Sequence, residues 1–292
     1  MKFQFIEDHR QEYAVKTMCR TLSVSECGYY AWRKRPKSER EQKNEELTQH
    51  IQQIFEHNRQ IYGSPRIHVE LNDLGVKCSR KHVARLMRAA GISAGQKRRR
   101  VRTTDSSHKN PVADNRLNRE FNAFAPNTRW TGDITGIETG QGWLYLAIIL
   151  DLYSRKVVGW SMSLHRDEEL VEKALKMALI QRCPKSGLMH HTDRGSQYTS
   201  QAYQGLLASA GITCSMSRKG NCWDNAPTES FFGTLKREWT HRHHYQTQTQ
   251  ARQSIFDYIE TFYNRKRRHS ALGYLSPVAY EQLNRKELET TV

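Results

Sequence analysis

The stretch that most constrains this 292-residue chain is Trp143-Leu144-Tyr145-Leu146-Ala147-Ile148-Ile149-Leu150, bounded by Gly142 and Asp151. A nearly unbroken apolar run has no face to offer water, so as a strand it belongs in the middle of a sheet covered on both sides. Residues 129–137 and 156–162 read as strands before and after it, the second reached through the turn at Asp151 to Arg155. Residues 167–182 then carry Val171, Ala174, Leu175, Ala178 and Leu179 at helical spacing. A short strand at 188–192, a helix at 200–210 and a strand at 213–217 complete the series. This order of elements predicts an α/β fold.

Three acids stand at marked places in that pattern. Asp133 lies inside the first strand candidate, Asp193 follows the fourth in His190-His191-Thr192-Asp193-Arg194-Gly195-Ser196-Gln197-Tyr198, and Glu229 comes 36 positions after Asp193. A lone Asp or Glu is usually a solvated charge or a turn residue. Carboxylates brought together by a fold are instead hard oxygen ligands for Mg²⁺, and two such ions suit phosphodiester chemistry. Gly195 would let the backbone turn tightly after Asp193. Asn225 can cap a helix with Pro227 in its first turn, which puts Glu229 near that helix start. Lys236 lies seven residues further, on the same helical face. Asp151 reads better as a strand-end turn acid than as a ligand.

The charge is uneven. Lys and Arg outnumber Asp and Glu by 46 to 30, a net charge of +16. Residues 1–110 contribute 23 − 12 = +11 and the remainder 23 − 18 = +5. Such a balance points to a polyanionic partner. Residues 11–22 and a segment through Tyr29 and Trp32 read as two helices, either a helix-turn-helix or a simple aromatic core. Residues 45–57 predict a helix; Ser64 is expected to cap the next and Ser79 the one after. Val83, Leu86, Met87 and Ala90 form the buried stripe of 79–90, leaving Arg80, Lys81, Arg85 and Arg88 off it. That is the pattern of a recognition helix, against the alternative of a solvated basic face. Arg98, Arg99 and Arg100 belong to a dense cationic run, either phosphate-contacting or a solubilising tether. Arg218 and Lys219 lie in a second basic loop.

A longer set of motifs runs in order along the chain. Trp130-x-x-Asp133-Ile134-Thr135 is followed by the segment from Leu150-Asp151 to Gly159-Trp160, then by His191-x-Asp193-x-Gly195-Ser196-Gln197-Tyr198. The segment from Ser217-Arg218-Lys219 through Trp223-Asp224-Asn225-Ala226-Pro227-Thr228-Glu229 to Lys236 comes next, then Tyr263-Asn264-x-x-Arg267-x-His269-Ser270. The series resembles the second-frame product (OrfB) of bacterial insertion sequences of the IS-three family, transposases with a retroviral-integrase-like core. The resemblance covers nearly the whole chain. It implies a ribonuclease-H-like core with a five-stranded mixed sheet, preceded by an all-α helix-turn-helix region.

The resemblance also implies a site and a reaction. Asp133, Asp193 and Glu229 would be the catalytic and metal-binding residues, holding two Mg²⁺ ions, with Mn²⁺ as a substitute, and Lys236 would contact DNA near the cleavage point. The activity would be nicking at insertion-sequence ends to release 3′-hydroxyls, followed by strand transfer, with branched and then circular DNA on the way. The partners would be double-stranded DNA of the ends and target, further copies of the chain forming at least a dimer, and the upstream reading-frame product as a fusion or complex. The expected organisation is a helical segment at 1–40, a helix-turn-helix-like DNA-binding domain at 41–95 and a basic linker at 96–114. An integrase-type core with a C-terminal helical extension follows at 115–284, then a tail at 285–292. Rival readings are a DNA-binding regulator without catalysis and a nuclease of the same fold.

Composition excludes other classes. No apolar run approaches the ~20 residues of a membrane span, and the mean hydropathy is −0.80. The six cysteines form no C-x-x-C pair, consistent with free thiols in a reducing compartment. The expected setting is the bacterial cytoplasm, in association with the nucleoid.

Overall fold

A computed structural model describes residues 1–95, 111–218 and 222–290. Its centre is a five-stranded sheet of β1 (Arg129–Thr139), β2 (Gly142–Asp151), β3 (Val157–Ser163), β4 (Met189–Thr192) and β5 (Thr213–Met216), in the order β3-β2-β1-β4-β5. β2 pairs antiparallel with both β1 and β3, whereas β4 runs parallel to both β1 and β5. The apolar run is β2, and β1 occupies the middle of the sheet. Each strand begins or ends within two residues of where its pattern predicts.

Helices cover both faces. Trp130, Ile134, Ala147 and Ile149 pack under α7 (Glu168–Arg182) and α8 (Gln201–Ser209), forming one core with Leu170, Leu175, Tyr203 and Leu207. The approach of α7 is close: a Cβ on Gly159 of β3 would fall 2.3 Å from the Ala174 carbonyl oxygen. Asp167 and Ser200 cap these helices, accepting from the N–H groups of Leu170 and Tyr203. On the other face, Leu144, Leu146, Ile148 and Ile137 meet α9 (Ala226–Glu238), α10 (Gln248–Phe256) and a continuous π-helical segment, Asp257–Tyr263. The final helix, α11, spans Pro277–Thr290, so the backbone stays helical beyond Asn284, where the sequence suggests a tail.

The N-terminal helices are α1 (Lys2–Asp8), α2 (Val15–Thr21) and α3 (Glu26–Lys34), around a small core of Ile6, Met18, Cys19 and Tyr29. The helix expected over 11–22 therefore begins at Val15; Glu12 and Tyr13 instead close a turn onto the His9 carbonyl. The next three are α4 (Glu39–His57), α5 (Ser64–Asp73) and α6 (Arg80–Ala89). α4 starts six residues before the expected Glu45, because Ser38 and Glu41 form a reciprocal capping box that precedes any apolar periodicity. Gly63, not Ser64, occupies the cap of α5, with Pro65 in the first turn. Ser79 caps α6 as expected, and Val83, Leu86 and Met87 are buried, but Ala90 is exposed at the helix end.

Candidate active site

Parallel pairing of β1 with β4 decides where two of the acids meet. Thr131 is level with His191, so Asp133, two residues on, is carried beside Asp193, just past the end of β4. Adjacent strands are about 4.8 Å apart. Asp133 faces the α9 side of the sheet, since its partner on β2 is Ile148, a member of that core.

Backbone amides orient both carboxylates. The Ile134 N–H donates to Asp133 Oδ1 at 2.7 Å, and the Gly195 N–H donates to Asp193 Oδ1 at 2.9 Å. The chain turns tightly after Asp193 as expected, the Tyr198 N–H donating to the Gly195 carbonyl, although Gly195 does not adopt the left-handed conformation. Its value is close approach: a Cβ there would lie 3.0 Å from Asp193 Oδ1 and 2.8 Å from Gln197 Oε1.

The third acid is brought in by α9, whose first turn is stitched to β1. The Thr228 hydroxyl lies 2.7 Å from that of Thr131 and 3.0 Å from Asn225 Oδ1, while Asn225 Nδ2 donates to the Gly132 carbonyl at 3.1 Å. Asn225 thus occupies the cap position without capping through its side chain. Glu229, the next residue after Thr228, is exposed in that first turn, with Pro227 as expected ahead of it.

Electrostatics link the three. Burial, then the Asp193 charge, push the Asp133 carboxyl up to about 8; Glu229 adds to the rise, and the Ile134 amide and the Arg166 guanidinium oppose it. Desolvation also lifts Glu229 above its ordinary value. Lys236, half-buried on α9, is lowered by burial and partly restored by Asp133. Carboxylates that resist joint ionisation form a site short of positive charge. A hard divalent cation satisfies that need, and the donor set is all oxygen. Among the described residues, however, no three His, Cys, Asp or Glu side chains approach closely enough to hold a single ion among them.

A family profile described as Integrase core domain matches residues 123–222, and a second of the same description matches 210–277. One described as HTH-like domain matches 41–100. The chain is 44% identical over 265 residues to the insertion element IS600 uncharacterized 31 kDa protein of Shigella sonnei, covering 91% of this chain and 97% of that one. It is 42% identical over 286 residues to transposase InsF for insertion sequence IS3A of Escherichia coli strain K12, covering 97% of this chain and 99% of its relative. The chain belongs to the IS3 family of insertion-sequence transposases.

The transposase is an enzyme of the polynucleotidyl-transferase type, with an integrase-core fold. The trimeric HTLV-2 integrase catalytic core in complex with magnesium is a more remote likeness, at 16% identity and a TM-score of 0.42, covering 55% of this chain and 99% of that one. No helix among the described residues is long and apolar enough to cross a membrane.

The remaining predicted contacts are scattered. Arg80, Lys81, Arg85 and Arg88 are exposed on α6. Arg98, Arg99, Arg100 and Lys219 lie outside the described residues. Arg218 is bound to the buried Asp224, its Nε and Nη2 donating at 2.9 and 2.7 Å. Together with Arg119, it holds that carboxyl below the usual range. Asp151 is indeed a turn acid: it is buried and accepts from the amides of Asn127 and Tyr153 and from the Trp130 indole. His191 bridges Ser215 and Ser217 by side-chain hydrogen bonds, and burial depresses its pKa to about 4. Gln197 donates to the Arg166 carbonyl at 2.8 Å. Sequence reasoning missed the Thr131–Thr228 stitch, whose only trace is a threonine two residues before Asp133 and another immediately before Glu229, and it missed Arg166, which no local pattern singles out.

Proposed function

We propose that this transposase nicks DNA at the ends of its insertion sequence and joins the released 3′-hydroxyls to a new phosphodiester, using Asp133, Asp193 and Glu229. The observation that supports this best is the response of Asp133 to both other acids, which arrive from β4 and α9. The same three residues would hold two Mg²⁺ ions, with Mn²⁺ as a substitute. When bound, the ions would supply the positive charge that activates an attacking oxygen and stabilises the leaving one.

The protein's own groups would prepare that chemistry. The Ile134 and Gly195 amides hold one oxygen of each aspartate and so fix how each carboxyl is turned. Thr228 and Asn225 set the depth of Glu229 against β1. Lys236 would neutralise a backbone phosphate beside the cut. Direct attack by a hydroxyl on phosphorus requires no covalent protein–DNA intermediate.

DNA outside the cleft would be held by Arg80, Lys81 and Arg85 on the exposed face of α6. Arg98, Arg99 and Arg100 in a basic linker at 96–114 and Lys219 would add salt-sensitive phosphate contacts. Arg218 would meet DNA only by leaving Asp224. On this reading, residues 41–95 recognise DNA and residues 115–284 catalyse. Joining two ends also calls for at least two copies of the chain on the DNA, and the upstream reading-frame product would act as fusion partner or companion. Incubating the purified chain with Mg²⁺ and labelled duplexes carrying the DNA that flanks its reading frame tests the proposal. Nicked and joined products are expected, and Asp193→Asn should make neither while still binding the duplex. Binding without cutting in the wild type would favour a regulator, and cutting without joining a nuclease.

A further inference from the structure

The connection from β3 to α7 brings another cation to the acidic centre. Arg166 immediately precedes Asp167, the cap of α7, and its carbonyl accepts from Gln197 in the loop that follows Asp193. Its backbone is therefore fixed between a helix start and the active-site loop. The guanidinium charge reaches the Asp133 carboxyl and the phenol of buried Tyr198. Yet its Nε is shielded from water and, among the described residues, has no hydrogen-bond acceptor.

A shielded donor without a partner is uncommon in a native fold and demands an explanation. Asp133 and Asp193 each already accept an amide hydrogen bond, and neither supplies the missing acceptor to Nε. The whole side chain is only half-buried, so an anion can approach the guanidinium, and it engages Nε once the atoms covering that donor shift as DNA seats. The anion suited to that fork is a phosphodiester, whose paired non-bridging oxygens match the spacing of guanidinium donors. We infer that Arg166 is a catalytic residue that donates to a non-bridging oxygen of the scissile phosphate, on the side of the acids not supplied by α9. Lys236 brings point charge from that helix; Arg166 fixes the orientation of the phosphate. This inference rests on the reading that DNA is cut at Asp133, Asp193 and Glu229.

The test uses the full chain, Mg²⁺ and a labelled end duplex in single turnover. A second duplex carries a methylphosphonate at the scissile position, which removes the charged oxygen. Arg166→Met keeps the volume and removes the donors. It should slow cleavage of the ordinary duplex about 100-fold, the loss typical of one preorganised donor, and leave duplex affinity unchanged. Its melting temperature should be equal or higher, because an unsatisfied buried donor is gone. Arg166→Lys should recover part of the rate. On the methylphosphonate duplex, wild type and Arg166→Met should become equal. A wild-type rate in Arg166→Met overturns the inference, as does an undiminished penalty on the methylphosphonate. A joint fall in melting temperature and duplex affinity with the rate would make Arg166 a structural residue. Failure of the wild type to cut, or cutting by Asp193→Asn, overturns the underlying reading and Arg166's role with it.

Discussion

At Asp133 burial and a neighbouring acid act in the same direction, and the result is a carboxyl that stays protonated near neutrality without a cation. Its folded pKa of about 8 lies above its unfolded value. Its stabilising contribution is therefore complete below pH ~3.8 and lost as pH rises through about 8. His190 and His191 have the opposite sense: burial lowers them to about 3 and about 4, so they cost stability only as pH falls below ~6.5. Between pH ~6.5 and about 8 Asp133 makes stability fall as pH rises. Asp133→Asn should abolish cutting yet raise the metal-free melting temperature at pH ~8 by about 3–6 °C, the equivalent of roughly 1–2 kcal/mol. Thermal melts in chelator at two pH values check this, and a lower melting temperature in the variant contradicts it. The acids themselves are legible in sequence because long motifs surround them. Arg166 is not, because its partners are 33 residues upstream and 31 downstream and only the folded chain assembles them.

α9 is held at both ends. Its start is sewn to β1 by Thr228 and Asn225, and its last residue, Glu238, receives Arg267 Nε and Nη2 at 2.6 and 2.7 Å and Arg66 at 3.2 Å. Thr228→Val keeps the shape but strips the hydroxyl from a buried network, at a cost of about 1–3 kcal/mol. The expected outcome is a lower cleavage rate with unchanged duplex affinity, read by single-turnover kinetics and fluorescence anisotropy. An unchanged rate would mean that the stitch does not govern Glu229. Strands were readable almost residue by residue, since an apolar run between turn residues has one natural reading. Caps were harder: Asn225 has the composition of a cap but spends its amide on the Gly132 carbonyl. Ser38 starts a helix whose first turns are wholly polar.

Across the whole molecule, α4–α6 share one apolar core with α9, α10 and the π-helical segment, in which Tyr62 packs 6.5 Å from Phe262 between ring centroids. Charge reinforces the contact. Arg268 reaches Glu70 and Asp73, Arg66 reaches Glu238, and the Tyr62 hydroxyl donates to the Lys266 carbonyl. In sequence, Arg265 to His269 is simply another basic run. Folding commits Arg267 and Arg268 to acids instead, because their partners lie 29 and 198 positions away. Burial opposes ionisation of Glu238, but Arg267 and Arg66 overcome it and hold its carboxyl below the usual range. Glu238→Gln leaves the buried Arg267 without a counter-charge and should cost about 3–5 kcal/mol, measured by denaturant unfolding. A loss below about 1 kcal/mol would reduce the network to a surface pair. The central claim, that Asp133, Asp193 and Glu229 form one divalent-metal centre, is tested most directly by anomalous scattering from crystals of the transposase grown with Mn²⁺ and end DNA. Two Mn²⁺ peaks about 3.5–4 Å apart, one between Asp133 and Asp193 and the other against Glu229, are the predicted result. Mn²⁺ bound elsewhere, or Glu229 turned away from every ion, would contradict it.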